Sequence, residues 1–508
     1  MMDSGKKEVV IVGSGIGGLV CGAILSMNGF HVTVLERNKQ IGGNLQTYAR
    51  DKCIFDSGVH YVGGLEKGQN LYKIFKYLGI IDKLKMQKLD EDAFDRIVFL
   101  TDQKEYKYAQ GYDRFAESLI KDFPEEKDSI HYYCEQIQEI CRKFPMYQLE
   151  VGDGFNKSSV LGIDTKAFIE SITKNERLRN VLAGNNGLYA GIGDRTPVYV
   201  HALVLNSYIE SSWRFIDGGS QIARLLCKII TNSGGVVKNR TEITKFHEEG
   251  GNITYVEDST GKKFMGDYFI SNVHPARTLE ILESDKIRNA FRHRIQNLEN
   301  SLSAFMVNIT LKPGMVKYEK TNYYCFLQDD VWNTMDHTDE TWPLSYCLFY
   351  SASSKSDVWA EAVTLMAYMK YEEVEKWKDT FNTVLSPAIR SEEYEKFKKE
   401  KAEKLIDLAD KRFKGLKDAV LGYYCATPLT FRDYMGTHDG SIYGISKNYK
   451  DPLKTFISPR TRIPNLLFTG QNVNLHGVLG VAISSLVTCS ELLGMDSLIN
   501  SINEAQGD

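Results

Sequence analysis

Residues 8–43, EVVIVGSGIGGLVCGAILSMNGFHVTVLERNKQIGG, decide the fold expected for this chain. The run from Glu8 to Val12 is apolar, rich in valine and too short for a helix, which predicts a buried parallel strand. Helical periodicity follows from about Ile16 to Met27, where Asn28-Gly29 ends it. Residues His31 to Glu36 then form a second strand. This order of strand, helix and strand predicts a Rossmann-type α/β domain.

The turn between the first strand and the helix fits the pattern G-x-G-x-x-G. Gly13 permits the tight turn, Gly15 leaves room for a pyrophosphate beside the backbone, and Gly18 lets the helix pack close to the strand. The N–H groups and the dipole of the helix N-terminus face the phosphates. We therefore expect this loop to bind a dinucleotide through Gly13, Ser14, Gly15, Gly17 and Gly18.

Glu36 ends the second strand, about where a carboxylate accepts hydrogen bonds from a ribose. Its charge would repel a 2′-phosphate, which makes NADP a poor candidate for this site. A glycine-rich turn in an ordinary α/β protein remains the alternative explanation of the loop. The pair Glu36-Arg37 followed by Gly42-Gly43 resembles the FAD-binding flavoproteins. That resemblance implies FAD, with Gly42, Gly43 and the adjacent Asn44 near its phosphates.

The composition is that of an ordinary folded protein with at least two domains, since the chain has 508 residues, 43% of them hydrophobic and 25% charged. A formal net charge of −4 gives no support for nucleic-acid binding. Nine cysteines without C-x-x-C spacing predict reduced thiols, a cytoplasmic setting and no metal site. No apolar run is long enough to predict a spanning helix, although contact with a membrane surface stays open.

A second motif makes the resemblance more specific. Residues 55–63, FDSGVHYVG, are similar to a segment of the retinol saturases, which belong to the carotenoid (phytoene) desaturase family of FAD enzymes. The resemblance implies that this segment lies near the flavin. His60 and Tyr61 are therefore candidates for proton transfer, and a purely structural histidine remains the alternative for His60. Gln46 departs from the family, which has histidine there.

The same family resemblance extends to later parts of the chain. It implies that a backbone group near Thr241 to Ile243 meets the adenine, and that the strand, turn and helix around residues 466–493 complete the FAD site. His476 precedes that helix and is a third candidate for proton transfer. Asn472 stands where relatives often have an acid. The cofactor residues implied in this region are Ile243, Gly470, Asn472 and Gly480.

We predict a discontinuous FAD-binding domain of residues 1–89, 215–300 and 440–508. Residues 90–214, largely helical, and 301–439, with aromatic-rich strands, are predicted to form a mixed α+β substrate domain. The FAD-binding domain is predicted to include one strand from Val236 to Phe246. The four main aromatic-rich strands are predicted at residues 303–311, 322–328, 344–351 and 362–371. That apolar sheet is either plain core or the lining of a long apolar pocket. Residues 69–89 predict an amphipathic helix, which either packs on the core or offers a lipid-soluble substrate a basic, apolar surface at a membrane.

The resemblance implies an FAD-dependent oxidoreductase that transfers hydride to or from a carbon–carbon double bond of an apolar, retinoid- or carotenoid-like lipid. The same flavin site can saturate or desaturate, and NAD(P)H is a candidate external electron donor. The competing class is a non-enzymatic lipid- or prenyl-binding escort protein on the same fold. The substrate and the oligomeric state are not predicted.

Overall fold

The computed structural model describes residues 6–152 and 158–506. A parallel sheet at its centre consists of β1 (Glu8–Val12), β2 (His31–Leu35), β10 (Val236–Lys238), β14 (Tyr268–Ser271) and β21 (Leu466–Phe468). The strand order is β10–β2–β1–β14–β21, and all neighbours run parallel. β1 is buried from Val9 to Val12 because both faces of the sheet are covered. The carboxyl ends of β1, β14 and β21 consequently lie at one edge.

One face of this sheet is covered by helices that pack on one another. The first, α1, is central and contacts α9 and α15. The apolar side chains of α2 are buried (Leu71, Ile74 and Phe75), so this helix packs on the core and does not offer its apolar face to a membrane. The bounds are α1 (Ile16–Met27), α2 (Asn70–Tyr77), α9 (Ser220–Asn232), α15 (Gly477–Leu493) and α16 (Met495–Glu504).

The other face carries a four-stranded sheet. The sequence predicts one strand from Val236 to Phe246, but the chain turns at Arg240, whose φ is +53°, and enters a different sheet. Periodicity alone does not show this turn, since the residues on both sides of it are extended. The elements here are β11 (Ile243–Glu249), β12 (Asn252–Asp258), β13 (Lys263–Met265), β15 (Leu282–Glu283), α10 (Pro275–Glu280) and α11 (Asn289–Gln296).

A seven-stranded sheet faces the parallel sheet across the molecule, and only its β17–β7 pair is parallel. The four predicted aromatic-rich strands are all present. Two further strands come from the predicted helical segment 90–214, which is a correction to that prediction. The strands are β7 (Asp95–Phe99), β8 (Lys104–Tyr108), β16 (Ser303–Leu311), β17 (Asn322–Phe326), β18 (Ser345–Tyr350), β19 (Ala362–Met369) and β20 (Val420–Ala426).

Helices and short strands complete the fold. Two small sheets pair β3 with β4 and place β9 between β5 and β6; their strands are β3 (Thr47–Arg50), β4 (Cys53–Asp56), β5 (Val62–Gly63), β6 (Met86–Lys88) and β9 (Ser212–Phe215). The remaining helices are α3 (Tyr112–Asp122), α4 (Lys127–Arg142), α5 (Ser158–Leu161), α6 (Thr165–Ile172), α7 (Glu176–Leu182), α8 (Val198–Glu210), α12 (Glu392–Arg412), α13 (Leu416–Ala419) and α14 (Pro428–Met435).

Among the described residues, no helix combines the length and apolarity needed to cross a bilayer. The domain boundaries stay a prediction.

Candidate functional site

The glycine-rich loop leads from β1 into α1 with little space for side chains. Gly13 has a φ of +96°, a conformation that favours glycine, and its N–H donates to the Leu35 carbonyl oxygen at 2.8 Å. A Cβ on Gly18 would lie 2.1 Å from the Gly13 carbonyl oxygen, and one on Gly17 would lie 2.9 Å from the Gly470 Cα. The loop therefore presents bare backbone at the edge where β1 ends.

Glu36 is buried at the end of β2, and its carboxylate organises this loop. One oxygen accepts hydrogen bonds from the Ser14 N–H (3.0 Å) and hydroxyl (2.6 Å), and the other accepts from the Asn38 N–H at 2.8 Å. The Ser14 hydroxyl oxygen in turn accepts from the Gly42 N–H at 3.1 Å. Ser14, a variable position of the motif, thus ties the glycine loop to the Gly42-Gly43 turn.

The Gly42-Gly43 turn lies directly against the glycine loop. A Cβ on Gly43, whose φ is +56°, would lie 3.0 Å from the Gly15 Cα. Asn44 follows this turn and lines a cavity described below. Arg37 points elsewhere, since its guanidinium donates to the Asp433 carbonyl oxygen at 2.7 Å. The Arg37 side chain therefore connects this region to α14.

Asn272, for which no sequence motif predicts a role, completes the loop region. Its Nδ2 lies 3.3 Å from the Gly13 carbonyl oxygen, and its amide would contact a Cβ added at Gly15, Gly17 or Gly470. The feature of the sequence that could have identified Asn272 is its position directly after β14, because ligand-binding residues follow the carboxyl ends of parallel strands. Three strand ends therefore converge at Gly13, Asn272 and Gly470.

The C-terminal motif also brings its residues to this edge. Asn472 is buried and its Oδ1 accepts from the Ile445 N–H at 2.9 Å, so the amide holds residues 444–445 against the turn. A Cβ on Gly480 would lie 2.9 Å from the Leu475 carbonyl oxygen, which brings the turn close to α15. Ile243 lies apart, buried at the start of β11, two residues after Thr241, whose N–H donates to the Glu36 carbonyl oxygen.

A cavity of about 140 Å³ opens beside the N-terminus of α15. One wall belongs to the dinucleotide-binding side and includes Ile16, Asn44 and Val478. The facing wall is aromatic and joins segments that are distant in sequence. Its members are His60, Tyr61, Tyr208, Tyr324, Phe349, Phe431 and Tyr443. The predicted apolar sheet thus contributes to a cavity lining as well as to the core.

Two of the predicted proton-transfer residues, His60 and His476, are half-buried imidazoles. The His60 ring stacks on Phe349 with centroids 4.5 Å apart, and the His476 Nε2 lies 3.1 Å from the Leu188 carbonyl oxygen, to which it donates. Burial lowers the pKa of each histidine to about 4, and for His60 the charge of Arg214 contributes. At neutral pH each ring is therefore in its neutral form and has no imidazolium proton to donate.

Tyr61, the third predicted residue, lies in a buried hydrogen-bonded chain. Its hydroxyl donates to the Asp95 Oδ2 at 2.8 Å and lies 2.6 Å from the Tyr324 hydroxyl. Asp95 is fully buried, and burial raises its pKa to about 7. Sequence reasoning missed Asp95 and Tyr324 because no motif marks either residue, and because Asp95 lies in a segment predicted to be helical.

A second, larger cavity of about 730 Å³ adjoins the first and shares Ser57, Met306 and Phe431 with it. It lies between the β3–β4 hairpin, β20, α12 and α14. Asp56 lines it and accepts from the Gly219 N–H at 2.7 Å, while burial raises the pKa of Asp56 to about 7. Its charged lining residues include Arg50, Glu395, Lys398 and Lys399.

Comparison with known proteins agrees with this architecture. A family model described as an NAD(P)-binding Rossmann-like domain matches residues 11–78. The all-trans-retinol 13,14-reductase of Danio rerio is 24% identical, with 96% of this chain and 86% of that protein covered. Prolycopene isomerase 2 of an Oncidium hybrid cultivar is 23% identical, with coverage of 97% and 84%. This chain is therefore a distant relative of both along nearly its whole length.

A solved structure shares the overall architecture. The crystal structure of an oxidoreductase from Methanosarcina mazei superposes with a TM-score of 0.64 at 15% identity, covering 94% of this chain and 99% of that one. At such low identity the likeness concerns the fold alone. Together with the Rossmann-like match, it confirms the α/β fold predicted from residues 8–43.

Proposed function

We propose that this protein is an FAD-dependent oxidoreductase that transfers a hydride to or from a carbon–carbon double bond of an apolar polyene or isoprenoid lipid. The observation that carries the proposal is the cavity in which a dinucleotide-binding wall faces an aromatic wall. An apolar lining with few polar groups suits such a ligand. The relatives support the substrate class, since their names refer to a retinol and to prolycopene.

The residues present fit FAD. The glycine loop and the Gly42-Gly43 turn offer backbone without side chains, which is what a pyrophosphate requires. The Glu36 carboxylate accepts three hydrogen bonds and retains acceptor capacity for a ribose hydroxyl. We propose that FAD is held by Gly13, Ser14, Gly15, Gly17, Gly18, Glu36, Arg37, Gly42, Gly43, Asn44, Ile243, Gly470, Asn472 and Gly480, with Arg37 acting through its backbone.

When bound, the flavin supplies hydride transfer at a carbon centre. The protein's part is to hold the double bond in the cavity, exclude water and move one proton. The N-terminus of α15 borders the cavity, and its dipole favours negative charge there. His60, Tyr61 and His476 are the proposed residues around the reacting carbons. Saturation needs an external reductant, for which NAD(P)H is the candidate.

We expect the purified protein to be yellow and to show the absorption spectrum of a bound flavin. A colourless preparation that cannot be reconstituted with FAD would contradict the enzyme proposal and favour the escort alternative. Anaerobic titration with NADH and NADPH, followed by flavin bleaching, tests the electron donor. Failure of both nucleotides would remove NAD(P)H from the proposal without affecting FAD.

The substrate class is tested with the flavin-loaded protein. Reduced and oxidised enzyme are incubated separately with retinoid, carotenoid and other polyene lipids, and the products are examined by mass spectrometry. A gain of two hydrogens with the reduced enzyme indicates a saturase, and a loss of two with the oxidised enzyme indicates a desaturase. A flavin-loaded protein that changes none of these lipids would contradict the proposed substrate class.

We propose that this protein is cytoplasmic and contacts membranes, and a loop beside the second cavity supports the membrane contact. The apolar loop, residues 379–390, exposes four large apolar side chains: Phe381, Val384, Leu385 and Ile389, the last 97% exposed. The backbone is anchored by the Asp433 carboxylate, which accepts from the Asn382 N–H, and by the Tyr434 hydroxyl, which accepts from the Val384 N–H. Val384 also lines the second cavity, which gives an apolar substrate a route from a bilayer.

We expect the double substitution Val384→Ser and Ile389→Ser to weaken binding to phosphatidylcholine–phosphatidylserine vesicles roughly tenfold, because two apolar side chains no longer enter the lipid. Vesicle sedimentation measures this. Met265→Ser is the matched control, since Met265 is exposed to the same extent as Val384, 63%, and lies on β13, outside the loop. Equal binding by the wild type and the double variant would rule out this loop as the contact.

A further inference from the structure

The aromatic wall of the first cavity contains a continuous chain of hydrogen-bonded groups that ends on a buried carboxyl. The Tyr324 hydroxyl lies 2.6 Å from the Tyr61 hydroxyl, which lies 2.8 Å from the Asp95 Oδ2. Tyr61 and Tyr324 both line the cavity, whereas Asp95 lies behind them on β7. Tyr61 precedes β5 and Tyr324 lies on β17, so the chain exists only because three distant segments meet.

The other carboxyl oxygen of Asp95, Oδ1, is held by the side-chain amide of Asn322, which stands between Asp95 and the Arg214 guanidinium. The Asn322 Nδ2 donates to the Asp95 Oδ1 at 2.9 Å, and the Asn322 Oδ1 accepts from the Arg214 guanidinium at 2.7 Å. Arg214 also donates to the carbonyl oxygens of Glu319 and Thr321. Asp95 is therefore a carboxyl held in place through Oδ1, and its Oδ2 faces the tyrosine pair.

A carboxyl in this setting can hold or release a proton near neutral pH. Burial raises the pKa of Asp95 to about 7, against the lowering effect of the hydrogen bonds from Asn322 and Tyr61. The nearby tyrosine and cysteine groups have pKa values raised further above neutrality by burial. The titratable or charged groups around Asp95 are Tyr61, Tyr108, Tyr208, Tyr324, Cys347 and Arg214.

We propose that Asp95, Tyr61 and Tyr324 form a proton relay that serves the substrate carbon not involved in hydride transfer. This inference rests on the proposed function and deepens it, since it assigns the proton step. Tyr324 lies at the end of this series of hydrogen-bonded groups that is farther from Asp95. It is the residue that contacts the substrate. Tyr61 links it to Asp95, which is the proton reservoir. His60 then serves as part of the cavity wall, and His476 packs behind it against the lining residue Tyr443.

The step balances in either direction. In reduction, one carbon of the double bond would receive the hydride, which is the chemistry that a flavin would supply when bound in this site. The Tyr324 O–H proton is transferred to the other carbon. The Tyr61 proton moves to the Tyr324 oxygen and the Asp95 proton moves to the Tyr61 oxygen, leaving a carboxylate that is later reprotonated from water. In dehydrogenation, the substrate would lose the hydride to the bound cofactor, and each proton moves the opposite way, towards Asp95.

The test uses the flavin-loaded enzyme and the variants Tyr324→Phe, Tyr61→Phe and Asp95→Asn. The measurement is the rate at which a polyene substrate reoxidises the reduced flavin in stopped-flow absorbance. We expect each variant to be at least about 100-fold slower, because a positioned general acid contributes that much. Tyr133→Phe is the control: this buried tyrosine hydroxyl is hydrogen-bonded to His201 and lies outside the cavity.

A pH profile separates a relay from a merely structural role. The wild-type reduction rate should be full below about pH 7 and fall at higher pH, because the reservoir must be protonated. Burial also raises the pKa of Asp56 to about 7, so the wild-type profile alone does not show which carboxyl titrates. The Asp95→Asn variant identifies the group. Asp95→Asn should abolish the inflection, while thermal unfolding reports any loss of stability.

Two results would overturn the relay while leaving the proposed function intact. The first is wild-type-like reoxidation rates in Tyr324→Phe and Tyr61→Phe. The second is an unchanged inflection in Asp95→Asn. A wild-type enzyme that holds flavin but transfers no hydride to any polyene would instead contradict the proposed function itself.

Discussion

Gly15→Val is expected to abolish flavin retention while leaving the fold intact. Gly15 has a φ of −58°, which valine adopts readily, so the backbone is not strained. A Cβ would, however, lie 2.8 Å from the Asn272 Nδ2, in the space where three strand ends converge. Asn272 can shift, but the branched side chain then fills the pyrophosphate site. We expect roughly 100-fold weaker FAD binding, about 2.8 kcal/mol.

Flavin absorbance per protein after gel filtration measures this effect, and circular dichroism checks the fold. Gly162→Val is the matched control, since Gly162 is exposed and a Cβ there would lie 3.8 Å from its nearest neighbour, the Tyr449 carbonyl oxygen. Gly18 is unsuitable for this comparison because its Cβ would collide with the backbone of the loop. Normal FAD content in Gly15→Val would show that the cofactor site is elsewhere.

The largest expected effect on stability comes from Asp433→Ala. Asp433 is fully buried and pairs with the Arg390 and Arg432 guanidinium groups, while its Oδ2 also accepts from the Asn382 N–H at 2.9 Å. Removing the carboxylate leaves the Arg390 guanidinium, whose side chain is 4% exposed, without its counter-charge. Breaking a buried pair in this way costs about 3 to 5 kcal/mol.

The loss of stability is measured by urea unfolding, monitored with a spectroscopic probe near α14. The matched control is Asp407→Ala, which removes an ion pair with Lys417 between two exposed side chains and should leave the transition nearly unchanged. Asp433→Ala should also bind vesicles more weakly, because Asp433 anchors the apolar loop. If Asp433→Ala unfolded at the wild-type urea concentration, this buried pair would not be a stabilising anchor.

The agreement between sequence and structure is best where the determining residues are neighbours in the chain. The strand Glu8–Val12 and the helix Ile16–Met27 have the predicted bounds. Each was predicted from a local pattern: an apolar run, a glycine turn and helical periodicity. Ser303–Leu311 likewise matches its predicted strand. Such patterns suffice because backbone preference and side-chain alternation act over a few residues.

The agreement fails where an element's partner is far away in sequence. The strands Asp95–Phe99 and Lys104–Tyr108 lie in a segment predicted to be helical, and they form because Asn322–Phe326 offers a free sheet edge. The extended stretch after Val236 was predicted as one strand, yet a turn at Arg240 divides it between two sheets. The choice of partner depends on the packing of the whole chain, which local periodicity does not contain.

The sequence by itself determined the dinucleotide-binding unit, because the glycine loop and Glu36 lie within one strand–helix–strand segment whose geometry is local. It also marked the segments carrying His60, Tyr61 and His476. The fold was needed to show that both histidines are half-buried and neutral, and that Tyr61 contacts Asp95 and Tyr324. The physical reason is that burial and hydrogen bonding, which set the pKa of each group, arise from contacts between residues up to 263 positions apart.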